Sequence, residues 1–253
     1  MQCSLVTTST IQRSSRHHSR LQYYMLCLMI LMCVNVGYAL PIRVTLNGAA
    51  MDVRWSDGDS FRVTSGRLRG SRARLMGYNT LESYGPVHKW GDWNEWELYR
   101  IAKDAKTLAR SQQWECTAAE KKDHYGRLLV RCPRLTEEMV RSGYAHLFEI
   151  DREPDKNHLA VQQEAIKKRV GIWKKGKPLG ILTSVHSIDE NEDQSTTYNR
   201  FASPDTGRAT KHLHTQRYAT CEWVCVEGSC LLYVPFKQRY GDQRPSCLRW
   251  SPK

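Results

Sequence analysis

Three short clusters hold the residue types needed to break a phosphodiester. The first is Asp57-Gly58-Asp59. The second is Arg74 followed by Asn79-Thr80-Leu81-Glu82, and the third is Tyr125-Gly126-Arg127. A carboxylate can bind a hard cation, and another can take a proton from water. Two guanidinium groups can neutralise the charge that builds on a crowded phosphorus. The parts suit metal-assisted hydrolysis of a phosphate ester.

Each cluster also has a plain structural reading. Asp and Gly are ordinary turn formers, so Asp57-Gly58-Asp59 either closes a hairpin or aims Asp59 into a site. In the second case Asp57 stands behind Asp59 or reaches the ion through water. Arg67, Arg69 and Arg72 read as a solvated strand face. Arg74 differs because it precedes Leu75-Met76 in a core-like strand, and an arginine at a buried edge needs an anion. Asn79 and Thr80 either cap a strand end or give amide and carbonyl oxygens to a cation such as Ca²⁺. The latter places Glu82 to take a proton from water. Arg127 lies at the far end of a hairpin, exposed or turned inward, and Gly126 permits a bend there.

Alternating apolar residues supply the elements that must position these groups. Ile42, Val44 and Leu46, then Met51, Val53 and Trp55, read as strands joined by a turn at Asn47-Gly48. Ser56 to Asp59 makes a second turn, and strands from Phe61 and over 71–76 extend a β-meander. Trp93, Trp96, Ile101, Ala105 and Leu108 recur at helical spacing and predict a helix over 92–112 capped by Asp92. Strands over 114–118 and 128–132 flank a turn at 121–124. Helices follow over 136–142, closed by Gly143, and over 158–170. Cys116 and Cys132 are equidistant from His124, which sets them opposite each other for a cross-strand disulfide; two free core cysteines are the alternative.

The chain has 253 residues, enough for one or two domains, and a net charge of +12. That charge favours a polyanionic partner (nucleic acid, acidic polysaccharide or anionic membrane) or serves solubility alone. Residues 1–39 carry Arg13, Arg16 and Arg20, no acids, an apolar run from Met25 to Val34, and Gly37-Tyr38-Ala39. They read as a signal peptide cleaved after Ala39. The run is short for a spanning helix, which needs ~20 residues. An uncleaved anchor counted from Leu21 and a true start at Met25 are the alternatives. Cleavage leaves a charge of +9 and six cysteines: Cys116, Cys132, Cys221, Cys225, Cys230 and Cys247. An even count in an exported chain favours disulfides. Residues 187–210 have linker composition, and 218–250 suggest a small disulfide-stapled unit with a strand near Leu231 to Val234. Zinc on the tail cysteines, with His186, His212 and His214 upstream, competes with that reading, but paired CxxC spacing is missing.

Taken in order and spacing, the three clusters make the chain resemble the staphylococcal nuclease (thermonuclease) family from about Val44 to Trp173. The hairpin Asp123-His124-Tyr125-Gly126-Arg127, the run Met139-Val140-Arg141-Ser142-Gly143-Tyr144-Ala145 and the terminal Gly171-Ile172-Trp173 add to the likeness. The resemblance implies an α+β fold, an OB-type five-stranded barrel packed by three helices. The organisation becomes a leader over 1–39, the barrel domain over 40–176, and a polar linker with a disulfide-rich extension over 177–253.

The same resemblance implies roles. Asp59 matches the first calcium ligand, Thr80 the residue offering a backbone carbonyl, Arg74 and Arg127 the catalytic arginines, and Glu82 the general base. Tyr125 falls near a substrate phosphate. Asn79 stands where a second metal aspartate is usual, so Ca²⁺ affinity should fall unless Asp57 compensates. Ser60 replaces a threonine, and Leu81 replaces a frequent proline, loosening the loop that carries Glu82. The implied protein is an exported, Ca²⁺-dependent nuclease acting on DNA and RNA with little sequence preference. It would be a monomer with no stable membrane association once the leader is removed. Single strands are preferred on such a surface, with Trp90, Trp93 and Trp96 as stacking candidates or as anchors of the helix. Two other readings compete: a non-catalytic nucleic-acid-binding OB domain with a weakened metal site, and a secreted adaptor acting through its cysteine tail.

Overall fold

The computed structural model describes residues 42–83, 85–191, 193, 195–239 and 244–248; the expected leader lies outside them. From Ile42 onward the chain gathers into one compact unit. It opens with β1 (Arg43–Leu46) and β2 (Ala49–Trp55). Asn47 and Gly48 join them at φ values of 51° and 81°, the left-handed pair that a tight hairpin turn requires. Then come β3 (Ser60–Val63), β4 (Arg72–Leu75), β5 (Gly77–Thr80) and β6 (His88–Trp90). Helix α1 (Glu95–Ala109), β7 (Trp114–Lys122), β8 (Leu128–Arg131), α2 (Pro133–Arg141), β9 (Ala145–Phe148) and α3 (Lys156–Lys167) follow.

Strands β1, β2, β3, β4, β8 and β7 close into a barrel in that order. The parallel pairings β1–β7 and β4–β8 complete it. The barrel has six strand segments where the resemblance implied five, both strands of the Asn47-Gly48 hairpin taking part in it. The period-2 pattern does the work: Val53, Trp55, Phe61, Val63, Ala73 and Leu75 all point inward and are buried. Trp55 and Phe61 meet edge to face, with ring centroids 5.0 Å apart.

The helices start where capping chemistry dictates. Asn94, not Asp92, caps α1: its side chain accepts from Glu97 N at 3.0 Å while Glu97 reaches back to Asn94 N. Helix α1 buries Leu98, Ala102, Ala105 and Ala109. Helix α2 begins three residues earlier than the apolar spacing suggests, because Pro133 suits the first helical position. Asp155 caps α3 through the Asn157 and His158 amides, which starts that helix two residues early.

Beyond Trp173 the structure departs from the linker reading. Strands β10 (Ile181–Ser184), β11 (Thr197–Ala202) and β12 (Ala209–His214) form an antiparallel sheet, with β11 and the start of β12 inside the stretch of linker-like composition. Its polarity misleads because buried polar groups satisfy each other. Asn199 Nδ2 donates to Tyr218 Oη at 2.9 Å, and its Oδ1 accepts from His186 N at 3.2 Å. Strands β13 (Trp223–Val226) and β14 (Ser229–Leu232) form a hairpin, and β14 also pairs with β6. All six cysteines among the described residues are bridged: Cys116–Cys132, Cys221–Cys247 and Cys225–Cys230. The tail cysteines are therefore not free to hold zinc.

Candidate active site

The site is built at the seam between the barrel, β5 and α1. Asp57 Oδ1 accepts from Asp59 N at 3.0 Å and from Ser60 Oγ at 2.7 Å, so this carboxylate orders the turn before β3. Gly58 has no room for a side chain. A Cβ there would lie 2.6 Å from Thr80 Cγ2 and 2.9 Å from Ala105 Cβ. The turn is pressed against β5 and α1, and that closeness brings Asp59 to Thr80. Tyr78 Oη donates to Gly58 O at 2.8 Å and pins the same turn.

Asp59 is only 2 % exposed. Its Oδ2 accepts from Thr80 N at 2.7 Å and from Thr80 Oγ1 at 3.0 Å. Its Oδ1 accepts from Arg74 Nη1, and Arg74 Nη2 donates to Asn79 Oδ1. The β3–β4 register, with Ser60 opposite Arg74, delivers the arginine beside Asp59. Asn79 Nδ2 donates to Thr80 O at 2.9 Å and lies 3.5 Å from His146 Nε2, because Asn79 faces His146 across β5 and β9. Asp59, Arg74, Asn79 and Thr80 thus form one hydrogen-bonded group, and Arg74 has the anion its position demands.

Charge around this group is unbalanced. Asp57, Asp59 and Glu82 act on a single guanidinium bonded within it. Burial and the charge of Asp59 push Asp57 up to about 6. Burial and the charge of Asp57 push Glu82 up to about 7, against the pull of Arg74, Arg239 and Arg127. Burial works against the Arg74 charge, but Asp59, Asp57 and Glu82 outweigh it and hold the proton more tightly. Burial lowers the neighbouring His146 to about 4, keeping its imidazole neutral.

Tyr125 and Arg127 occupy a preformed hairpin tip. Asp123 Oδ1 accepts from the amides of Tyr125 and Arg127, and its Oδ2 accepts from Arg127 Nε at 2.7 Å. The Arg127 guanidinium carbon lies 5.2 Å over the ring of Tyr125, which is 51 % exposed. Arg127 reaches Glu82 through its charge and not through a bond to the Asp59 group. Asp123 has no role that sequence reading brings out. Its spacing to Tyr125 and Arg127, an acid ahead of a turn glycine, was the available signal. His146 offered none, since a lone histidine in a short apolar strand looks like any core residue.

The tryptophan candidates divide. Trp90 and Trp93 are buried, with Nε1 atoms bonded to Gly176 O at 3.2 Å and Ile172 O at 2.9 Å. They anchor loop and helix and cannot stack on a base. Trp96 is the exposed one of the three, at 37 %, and meets Tyr99 edge to face with ring centroids 6.1 Å apart.

No group of three or more His, Cys, Asp or Glu side chains among the described residues is arranged to hold a metal. The donors that do meet are hard oxygens: the Asp59 carboxylate, Asn79 Oδ1 and the Thr80 carbonyl. They suit a hard cation in kind. Each already accepts a hydrogen bond, from Arg74 or from Asn79 Nδ2. A cation entering here would displace Arg74, and the poorly compensated charge of Asp57 and Glu82 favours that entry.

No curated protein matches the chain significantly. Residues 72–175 match the family model described as staphylococcal nuclease homologue. The match runs from β4 through α3 and covers Arg74, Asn79, Thr80, Glu82, Tyr125 and Arg127. Asp59 and strands β10 to β14 lie outside it. The closed OB-type barrel and its three helices agree with that match, so residues 72–175 are similar to the staphylococcal nuclease homologue family.

Proposed function

We propose that the protein is an exported, calcium-dependent nuclease hydrolysing phosphodiester bonds of DNA and RNA with little sequence preference. The observation that carries this reading is the meeting of Asp59, Arg74 and Asn79 beside Glu82, a carboxylate whose proton affinity lies near neutral pH. Such a carboxylate can accept a proton from water and release it again under the same conditions.

The donor chemistry supports calcium held by Asp59, Asn79 Oδ1 and the Thr80 carbonyl, where it would supply positive charge to a phosphate oxygen. The chain's own residues do the rest. Glu82 orients the attacking water and takes its proton. Arg74 exchanges its bonds to Asp59 and Asn79 for two phosphate oxygens and binds them more strongly as charge develops. Arg127, held by Asp123, supplies the second guanidinium from the hairpin tip. Removing one such donor typically costs ~10²–10³ in rate. Tyr125 and Trp96 are exposed aromatic faces on which single-stranded bases can stack. Export rests on the leader-like residues 1–39.

One observation favours a second reading, a binding domain without catalysis. Arg74 already ties up both expected side-chain ligands, Asp59 and Asn79. Digestion of single-stranded DNA, with calcium and then with chelator, separates the two. The nuclease reading expects cleavage that chelator stops. Binding without cleavage under either condition supports the second reading, and neither binding nor cleavage rejects both.

A further inference from the structure

A cavity of about 500 Å³ opens between β2 and the C-terminal end of α1. Ile42, Val53, Arg54, Trp55, Ser56, Lys106 and Arg110 line it. None of Asp59, Arg74, Asn79, Thr80, Glu82 and Arg127 does. Alternation along β2 buries Val53 and Trp55 and leaves Arg54 exposed between them. On α1, Lys106 and Arg110 stand at i and i+4 and share a face. Among the described residues, no acidic side chain lines the cavity.

Like charges meet here twice. Arg54 faces Arg62 directly in the β2–β3 register, and Lys106 and Arg110 are neighbours on the helix. Either arrangement weakens the element that carries it. Neither the Arg54 nor the Arg110 guanidinium is ion-paired among the described residues. A cation in the last turn suits the helix dipole, which explains Lys106 and Arg110 one at a time. It does not explain Arg54, which a separate element brings to the same cavity. Trp55 adds a donor. It is 2 % exposed, and its Nε1 has no acceptor among the described residues. A buried indole N–H ordinarily has one.

We propose that this cavity is a phosphate-monoester site, separate from the candidate active site and of a size for a mononucleotide. A monoester phosphate carries close to two negative charges and three strong acceptor oxygens. Those match the Arg54 and Arg110 guanidiniums, the Lys106 ammonium and the Ser56 hydroxyl. A bare phosphate would leave most of the volume empty, whereas clefts for small organic ligands span ~300–1,000 Å³. The ligand therefore carries an organic part, set against Ile42, Val53 and Trp55, and an oxygen of that part can accept from Trp55 Nε1. This inference concerns binding alone and does not rest on the nuclease reading.

The test is calorimetric titration of the intact protein, in chelator, with thymidine monophosphate, thymidine and inorganic phosphate. Wild type is compared with Arg54→Gln, Arg110→Gln, Arg54→Lys and, for the candidate active site, Arg127→Gln. The expected result is that the monophosphate binds wild type more tightly than inorganic phosphate does, and that thymidine does not bind. Arg54→Gln and Arg110→Gln should each weaken the monophosphate about tenfold, with partial recovery in Arg54→Lys and no change in Arg127→Gln. Because each glutamine removes a like-charge contact, both variants should melt no lower than wild type. Competition by an end-phosphorylated DNA dodecamer, lost in the same two variants, identifies a strand end as the source of the phosphate; its failure identifies the free nucleotide, and either upholds the site. The inference is overturned if wild type does not bind the monophosphate, if both glutamine variants bind it normally, or if Arg127→Gln abolishes binding. It is overturned equally if binding falls only in step with melting temperature. Cleavage of DNA by a protein whose cavity proves inert would defeat this inference and spare the nuclease reading.

Discussion

At the scale of single residues, the proposed chemistry turns on Glu82 and Asn79. Glu82 is raised in the folded protein to about 7 from 4.5, chiefly by burial and then by Asp57. A raised carboxylate favours folding below its unfolded value and opposes it as pH climbs toward the folded one. The stability of Glu82→Gln relative to wild type, followed by thermal melting, should therefore grow as pH rises from about 4.5 to about 7. A gain on the order of 3 kcal/mol at the upper end follows from the size of the shift. A difference that is flat with pH would remove the argument that this carboxyl sits strained. For the reaction, kcat/KM should climb with pH through about 7, since the base acts when deprotonated. Asn79 makes a second prediction. Asn79→Asp adds a hard anionic donor but loses the Nδ2 bond to Thr80 O. Calcium affinity, measured by calorimetry, should rise, while the metal-free protein melts lower. Calcium affinity no better than wild type would argue that Asn79 is not a ligand position.

At the scale of elements, alternation and helical spacing foretold the early strands and the three helices, because each strand buries one face, while the closed barrel was implied by the family resemblance. Val53, Trp55, Phe61 and Val63 are readable from period alone. The pairing of Cys116 with Cys132 was readable too, because hairpin counting sets them opposite; Thr117 facing Arg131 continues that register. This bridge ties the hairpin that bears Arg127. Replacing both cysteines by alanine opens a loop of sequence separation 16 and should cost about 3 kcal/mol in denaturant melting. Loss of much less than that would mean the barrel ladder alone fixes the hairpin. What escaped sequence reading had physical causes. The polar stretch holding β11 and β12 hid its buried face because Asn199 and Tyr218 satisfy each other across the fold. The Arg74 bonds to Asp59 and Asn79 depend on the β3–β4 register and on Gly58 packing against Thr80, neither of which has a local spacing signature.

At the scale of the whole molecule, the chain carries +12, and the extension is built onto the barrel domain through β6 and β14. A surface of that sign should bind polynucleotides through phosphates and lose affinity steeply with salt, with little choice of sequence. Binding of dT and mixed-sequence oligonucleotides at two salt concentrations checks this; strong discrimination that survives high salt would contradict it. The most direct test of the central claim compares cleavage by wild type and Glu82→Gln at saturating single-stranded DNA with calcium present. The account predicts that the variant binds DNA within about twofold of wild type and loses at least ~10²-fold in rate. A variant that cleaves at the wild-type rate would show that Glu82 is not the base.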